Sequence, residues 1–203
     1  MKQIILSILL GYLLGSLSPS ALLSKLKNEN LRKQGTRNLG ATNTMLILGK
    51  GYGAFVMFFD IAKAYAAVRL AQKLFPLLAY GGLIAGCAAV VGHIFPFYMK
   101  FKGGKGLAAY GGMILGVDPL LFCLLLVIAV AAIFVTNYSL AMPMSATILF
   151  PILYAIRTRD AVAIVIVTVI SILIICKHIP NIAEAIRGED TKVRAYVKGH
   201  WQH

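Results

Sequence analysis

Charge is what this chain has least of. Asp, Glu, Lys and Arg make up 13% of its 203 residues, where a soluble domain carries about a quarter. With 59% hydrophobic residues, that scarcity excludes a water-soluble domain built on one core, and places the apolar surface against lipid. Acidic residues are the scarcer sign, seven against twenty Lys and Arg, for a net charge of +13. In a soluble protein such a balance would point to nucleic acid. Here the basic residues stand between apolar runs, so the positive-inside rule and anionic headgroups account for them, and no nucleic-acid partner is expected. Cysteine is nearly absent as chemistry. Cys87, Cys123 and Cys176 all lie in apolar runs without metal-ligand spacing, which leaves small apolar packing as their role. The four histidines, His93, His178, His200 and His203, have no zinc spacing, and there is no Gly-x-Ser-x-Gly elbow. No metal and no cofactor is expected.

What is present is hydrocarbon in lengths that cross a bilayer, which takes roughly 20 residues. The first run is Gln3 to Leu23, with Gly11 and Gly15 forming a small-xxx-small face suited to close helix packing. Ser18-Pro19-Ser20-Ala21 is a weak candidate for signal cleavage. Further spans are read at about Tyr52–Leu74, Leu77–Phe95, Pro119–Val135, Leu140–Ile156 and Ala161–Cys176. Leu107–Val117 is too short to cross squarely. These runs predict an all-α polytopic membrane protein in one domain, 1–203, with seven spans, or five if the short run and its neighbour form a re-entrant pair. Both counts are odd. The cationic loop holding Lys25, Lys27, Arg32, Lys33 and Arg37 puts the N-terminus outside and the C-terminus in the cytoplasm. Asp60 and Lys63, three apart within one span, share a helix face. Two readings are open for them: an internal ion pair that fixes packing, or a supporting shell for a cytoplasmic site.

Three polar segments then fall on the cytoplasmic side: residues 35–43, 98–106 and 177–190. The first, Gly35-Thr36-Arg37-Asn38-Leu39-Gly40-Ala41-Thr42-Asn43, packs glycines, hydroxyls, amides and a guanidinium into nine positions. Those are the groups that hold phosphate oxygens. The second contains Lys102-Gly103-Gly104-Lys105-Gly106, a glycine-lysine turn opening a helix, where exposed N–H groups and the helix dipole favour an anion. It is not a Walker loop. The third adds His178 and Asn181. Together they form an anion-binding constellation: Thr36, Arg37, Asn38, Thr42, Asn43, Lys102, Gly103, Gly104, Lys105, His178 and Asn181. Neither of the first two segments contains a carboxylate, which argues against metal-dependent phosphotransfer. An anion transporter or channel is the rival class, since charged residues within spans would suit it.

These motifs, in this order, resemble the bacterial acyl-phosphate:glycerol-3-phosphate acyltransferases. The first segment is similar to that family's Gly-Ser-Gly-Asn-x-Gly-Ala-Thr-Asn. The run from Gly92-His93 to Gly106 is similar to its second motif, and His178, Asn181, Ile182, Gly188 and Glu189 fall where its third has them. Tyr138-Ser139-Leu140-Ala141 and Asp60 with Lys63 also fit. The resemblance covers nearly the whole chain, and it does not extend to the His-Asp dyad of the common glycerolipid acyltransferases, which this sequence lacks. It implies transfer of a fatty acyl group from acyl phosphate to the 1-hydroxyl of glycerol 3-phosphate. The products are lysophosphatidate and phosphate, made for phospholipid biosynthesis at the cytoplasmic face of a bacterial plasma membrane. Lys102 and Lys105 are then expected to bind phosphate, Ser139 with Asn43 to orient substrate, and His178 and Asn181 to bind the acceptor, with Glu189 beside them. Lys105, Ser139 and His178 are the expected catalytic residues. The chain departs from the pattern where Thr36 replaces serine and Arg37 replaces glycine, and where Asn137 and Ile179 stand in positions that are commonly basic. One reading is a cation relocated to Arg37; the other is a divergent paralogue with another acceptor or donor. Trp201, in the tail, suits the membrane interface.

Overall fold

The computed structural model describes residues 1–188; Glu189 and the tail with Trp201 lie outside the described residues. Nine α-helices, and no strand, form the described chain: α1 (Lys2–Ser16), α2 (Pro19–Leu26), α3 (Ala41–Leu48), α4 (Lys50–Leu74), α5 (Gly81–Ile94), α6 (Leu107–Val117), α7 (Pro119–Thr136), α8 (Ala141–Thr158) and α9 (Ala161–Ile186). Five segments are long and apolar enough to cross a membrane: Lys2–Leu26, Gly81–Met99, Pro119–Thr136, Ala141–Thr158 and Ala161–Ile186. The helix α4 has the length, at 25 residues, but carries Asp60 and Lys63 midway. The helix α6, with 11 residues, is shorter; at about 1.5 Å per residue it is roughly half a bilayer long.

The first apolar run is broken where Pro19 opens α2. Ser18 caps the new helix by accepting from the Ala21 N–H at 3.3 Å, and proline at the first helical position costs no hydrogen bond. The Ser18-Pro19 stretch is therefore a helix joint. The carbonyls freed at the end of α1 find partners: Tyr98 Oη donates to Ser16 at 2.6 Å and Lys63 Nζ donates to Leu17 at 2.6 Å. Helix ends buried without such partners are costly.

The chain divides into two compact units, residues 1–119 and residues 120 onward. In the first, α1 lies directly on α5. A Cβ on Gly11 would run into the Ala85 carbonyl, and one on Gly15 into that of Ala89. The small-residue face read from the sequence is thus a backbone-to-backbone contact, which in lipid is driven by close packing rather than by the hydrophobic effect. The helix α6 approaches α4 in the same way, with Gly112 against the Ile61 carbonyl and Gly116 against Val68. Val56, Ala64, Ala67, Val68, Val90 and Met113 are fully buried where these helices meet. In the second unit α8 and α9 pack together, Pro151 lies within α8, and Pro143 sits in its first turn. Cys123 and Cys176 are exposed among outward-facing apolar side chains.

Several boundaries differ from the sequence reading, among them the start of α5, which lies at Gly81 and not Leu77. The loop after α2 contains an additional short helix, α3, whose first turn carries Ala41, Thr42 and Asn43. The last helix runs ten residues past Cys176, through Pro180 to Ile186, so residues 177–186 are helix rather than a polar loop. In that stretch Ile179, Ile182 and Ile186 recur at spacings of three and four, which sustain a helix despite the proline.

Candidate active site

The first polar segment is shaped by one side chain. Asn43 is fully buried. Its Oδ1 accepts from the Thr36 N–H at 2.7 Å, and its Nδ2 donates to the Leu31 carbonyl at 2.7 Å. Leu31 and Leu39 are buried on either side. Asn43 therefore ties α3 back onto the loop that precedes it, and its contribution is to hold the loop's shape. Around it Thr36, Arg37 and Thr42 are exposed, and Asn38 is half-buried.

Arg37 occupies the left-handed region, with φ +56°. Glycine takes that conformation freely, whereas a residue with a Cβ pays roughly 1 kcal/mol for it. The position therefore suits the glycine that the family pattern has, and an arginine there brings a guanidinium at a backbone cost. The substitution Arg37→Gly keeps the loop's backbone and removes the guanidinium alone. If Arg37 serves phosphate, Arg37→Gly raises KM for glycerol 3-phosphate about tenfold, the value of roughly one exposed charge-assisted hydrogen bond. An unchanged KM in steady-state assays would assign the guanidinium to the membrane surface.

The second segment folds back over the end of α5. Gly103 donates its N–H to the Ile94 carbonyl at 2.9 Å, and Gly104 to the His93 carbonyl at 3.1 Å. Both amides thus terminate α5, so the expectation that these glycines present N–H donors to phosphate changes in kind: what they supply is close approach. A Cβ on Gly103 would overlap the His93 carbonyl, and one on Gly104 would overlap the His93 ring and press on the Leu39 carbonyl at 2.6 Å. After this turn come half-buried Lys105 and then Gly106, with φ +92°, which starts α6 without a side-chain cap. The first N–H groups of α6 are left to point along its axis, the arrangement that favours an anion.

The structure brings these two segments together. Gly104 packs against Leu39, and Arg32 Nη2 donates to the Lys102 carbonyl. Thr36 and Arg37 on one loop, with Thr42 in the first turn of α3 that follows it, and Lys102 and Lys105 on the other loop are thus carried by two segments that touch. Below them lie Asp60, Lys63 and His93, all buried. Asp60 and Lys63 form the internal ion pair, Nζ to Oδ1 at 2.7 Å, and His93 Nδ1 stands 3.0 Å from the same Nζ. Sequence reasoning did not single out His93 or Arg32 as site residues. His93 was visible in the Gly92-His93 dipeptide; nothing marked Arg32 apart from its neighbours.

The second unit carries the remaining expected residues. Ser139 is exposed on the Asn137–Leu140 link between α7 and α8, where Asn137 has φ +63°. On α9, His178 is buried, and its Nδ1 lies 2.8 Å from the Ile174 carbonyl. A carbonyl only accepts, so Nδ1 carries a proton. Asn181, three residues on, donates to Glu184 Oε2 at 3.3 Å. Glu189 is outside the described residues.

Fold and site define a polytopic, all-helical integral membrane protein whose first unit gathers cations and hydroxyls on two bonded loops. The family model described as glycerol-3-phosphate acyltransferase matches residues 5–188, and the chain belongs to that family. The glycerol-3-phosphate acyltransferase of Macrococcus caseolyticus (strain JCSC5402) is 37% identical over 196 residues, 95% of this chain and 98% of that one. That of Staphylococcus aureus (strain JH9) is 35% identical over 202 residues, at the same coverage. Among solved structures, PlsY (YgiH), an integral membrane glycerol 3-phosphate acyltransferase, matches in its glycerol 3-phosphate form with a TM-score of 0.89 and 30% identity, covering 98% of this chain and 99% of that one. Its lysophosphatidic acid form matches with a TM-score of 0.83 and 30% identity, over 93% and 94%.

Proposed function

We propose that this membrane acyltransferase moves a fatty acyl group from acyl phosphate to the 1-hydroxyl of glycerol 3-phosphate, releasing lysophosphatidate and inorganic phosphate. The observation that carries the reading is the contact between the two loops, which collects Thr36, Arg37, Lys102 and Lys105 on segments without a carboxylate. Both substrates of the proposed reaction are phosphorylated anions. The PlsY structures in glycerol 3-phosphate and lysophosphatidic acid forms support the acceptor and the product.

An acyl phosphate is a mixed anhydride and leaves readily. The protein's task is to hold two anions together, orient the hydroxyl and offset developing charge. The hydroxyl oxygen attacks the acyl carbon, the carbon–oxygen bond to phosphate breaks, and phosphate leaves with the electron pair. Lys105 and Lys102 hold phosphate oxygens, with Thr36, Arg37, Asn38 and Thr42 lining the first loop. Ser139 and Asn181 orient the acceptor. With Nδ1–H of His178 bonded to the Ile174 carbonyl, Nε2 is the ring nitrogen that can take up a proton when the ring is neutral. That suits receipt of the hydroxyl proton better than a grip on the acceptor's phosphate. The substrate phosphate is the other available acceptor, since its second ionisation falls at about pH 6.

In the membrane, we propose an odd number of passes: seven by α1–α2, α4, α5, α6, α7, α8 and α9, with the bilayer thinned around the 11-residue α6, or five if α6 and α7 form a re-entrant pair. The N-terminus is outside, the C-terminus and the polar motifs are cytoplasmic, and residues 1–203 act as one domain in a bacterial plasma membrane. The internal ion pair lets α4 cross by neutralising its two charges within protein. The donor is tested with purified protein offered acyl phosphate, acyl-CoA or acyl carrier protein. Acyl phosphate alone supports transfer if the reading holds, and equal or better use of a thioester donor sinks it.

A further inference from the structure

The reaction proposed above assigns no role to Asp60, Lys63 and His93, yet they lie directly beneath the loop that carries Lys105. Asp60 and Lys63 are one turn apart on α4, and His93 ends α5. Lys63 Nζ is 2.7 Å from Asp60 Oδ1, 2.6 Å from the Leu17 carbonyl and 3.0 Å from His93 Nδ1. An ammonium has three N–H donors and no acceptor. Three acceptors therefore use all of them, and the ammonium balances the carboxylate in contact with it. His93 Nδ1 also stands 3.3 Å from Asp60 Oδ1, but a proton on Nδ1 would leave the buried ammonium with two acceptors for three N–H groups, so the arrangement favours Nδ1 as the acceptor from Lys63 and the ring proton on Nε2. The ring's far edge faces the loop: a Cβ on Gly104 would meet Nε2 and Cε1 of His93, and between them the Leu39 carbonyl. The loop is held down on that edge, because Gly103 and Gly104 donate to the carbonyls of Ile94 and His93.

We infer that His93 is a positioning residue: its imidazole is a strut, seated on the Lys63 ammonium at Nδ1 and setting, through its Nε2 edge, how closely Gly104 approaches Leu39. The placement of Lys105, the next residue, follows from that spacing. The seat is itself fixed, since Lys63 is bonded to the end of α1 at Leu17 and Tyr98 holds the adjacent Ser16 carbonyl. The strut acts on the acyl transfer proposed above through Lys105, and so rests on that reading.

Side-chain amides separate the two ends of the ring. Asparagine sets an acceptor near the position of Nδ1 and has nothing at Nε2; glutamine reaches the position of Nε2 and leaves Lys63 without its third acceptor. His93→Asn is expected to keep the thermal midpoint near wild type while lowering kcat/KM for glycerol 3-phosphate about tenfold or more, because a misplacement of about 1 Å at a reacting group costs up to ~100-fold. His93→Gln is expected to lower the thermal midpoint, through an unsatisfied buried donor, with kinetic constants closer to wild type. His93→Ala loses both. Nitrogen NMR of labelled histidine should show that the signal lost in His93→Asn is a neutral Nε2–H ring; if the lost signal is instead an Nδ1–H ring, the seat on Lys63 is contradicted. Wild-type kinetics in His93→Asn, or stability and activity falling together in all three variants with KM unchanged, overturn the strut. If the wild-type protein fails to use acyl phosphate, the reading of function falls instead. The same variants are then ranked by Kd for glycerol 3-phosphate: weaker binding in His93→Asn than in His93→Gln upholds the strut, and equal values remove it.

Discussion

Lys105→Ala lowers kcat/KM for acyl transfer by about 100-fold or more. Lys105 sits half-buried at the turn into α6, on a loop bonded to the segment that carries Thr36 and Arg37. In the reaction proposed here a cation held there acts on phosphate charge, and loss of one such preorganised group typically costs about 10²–10³ in rate. Thermal stability should change less than the rate, since Lys105 lies on the turn before α6 and outside the fully buried helix seams. Lys105→Arg keeps the charge with a planar, longer head and is expected to recover only part of the rate. Steady-state kinetics on detergent-purified protein, alongside a thermal melt, make the check. Near wild-type turnover in Lys105→Ala would remove the phosphate assignment.

Gly104→Ala is expected to be nearly as damaging, for a steric reason. The added methyl meets the His93 ring on one side and the Leu39 carbonyl, at 2.6 Å, on the other. One neighbour is a ring fixed by Lys63 and the other is backbone, so neither gives way cheaply. Overpacking of this kind costs about 1–3 kcal/mol, and it pushes apart the two loops that carry the anion-binding groups. The prediction is a fall of at least tenfold in kcat/KM, with a higher KM for glycerol 3-phosphate and protein that still folds. A methyl tolerated without kinetic change would mean that the contact between Gly104 and Leu39 does not set the site.

How far the sequence went can be seen residue by residue. The helices α4, α6, α7 and α8 were legible within about two residues, because in lipid the apolar run and its proline or charged ends are the structure. Gly11 and Gly15 were legible as a packing face for the same reason. The joint at Ser18-Pro19 was harder, since an apolar run does not reveal that Tyr98 and Lys63 arrive from elsewhere to satisfy the broken helix end. The extension of α9 to Ile186 was hidden by Pro180 and by the polar residues that the third motif requires.

At the site, residue types pointed to anions, but they did not distinguish groups that face a ligand from groups that build the loop. Asn43 belongs to the builders through its bonds to Thr36 and Leu31. The amides of Gly103 and Gly104 do too, through the carbonyls at the end of α5. Arg37 gains a physical reading it lacked in the sequence: a left-handed backbone position at which glycine is the unstrained choice. His93 illustrates the general limit. A lone histidine at the end of an apolar helix carries no pattern; its meaning comes from Lys63, thirty positions earlier, and from Gly104, eleven positions later.

The central claim is that the cationic loops serve a group transfer between two phosphorylated substrates. Its most direct measurement uses the protein in sealed proteoliposomes loaded with neither substrate, given acyl phosphate with and without glycerol 3-phosphate. Phosphate release that depends on glycerol 3-phosphate and matches the lysophosphatidate formed mole for mole is the predicted result. Movement of phosphate or glycerol 3-phosphate across the bilayer without acyl transfer would contradict it and make the loops part of a transport path.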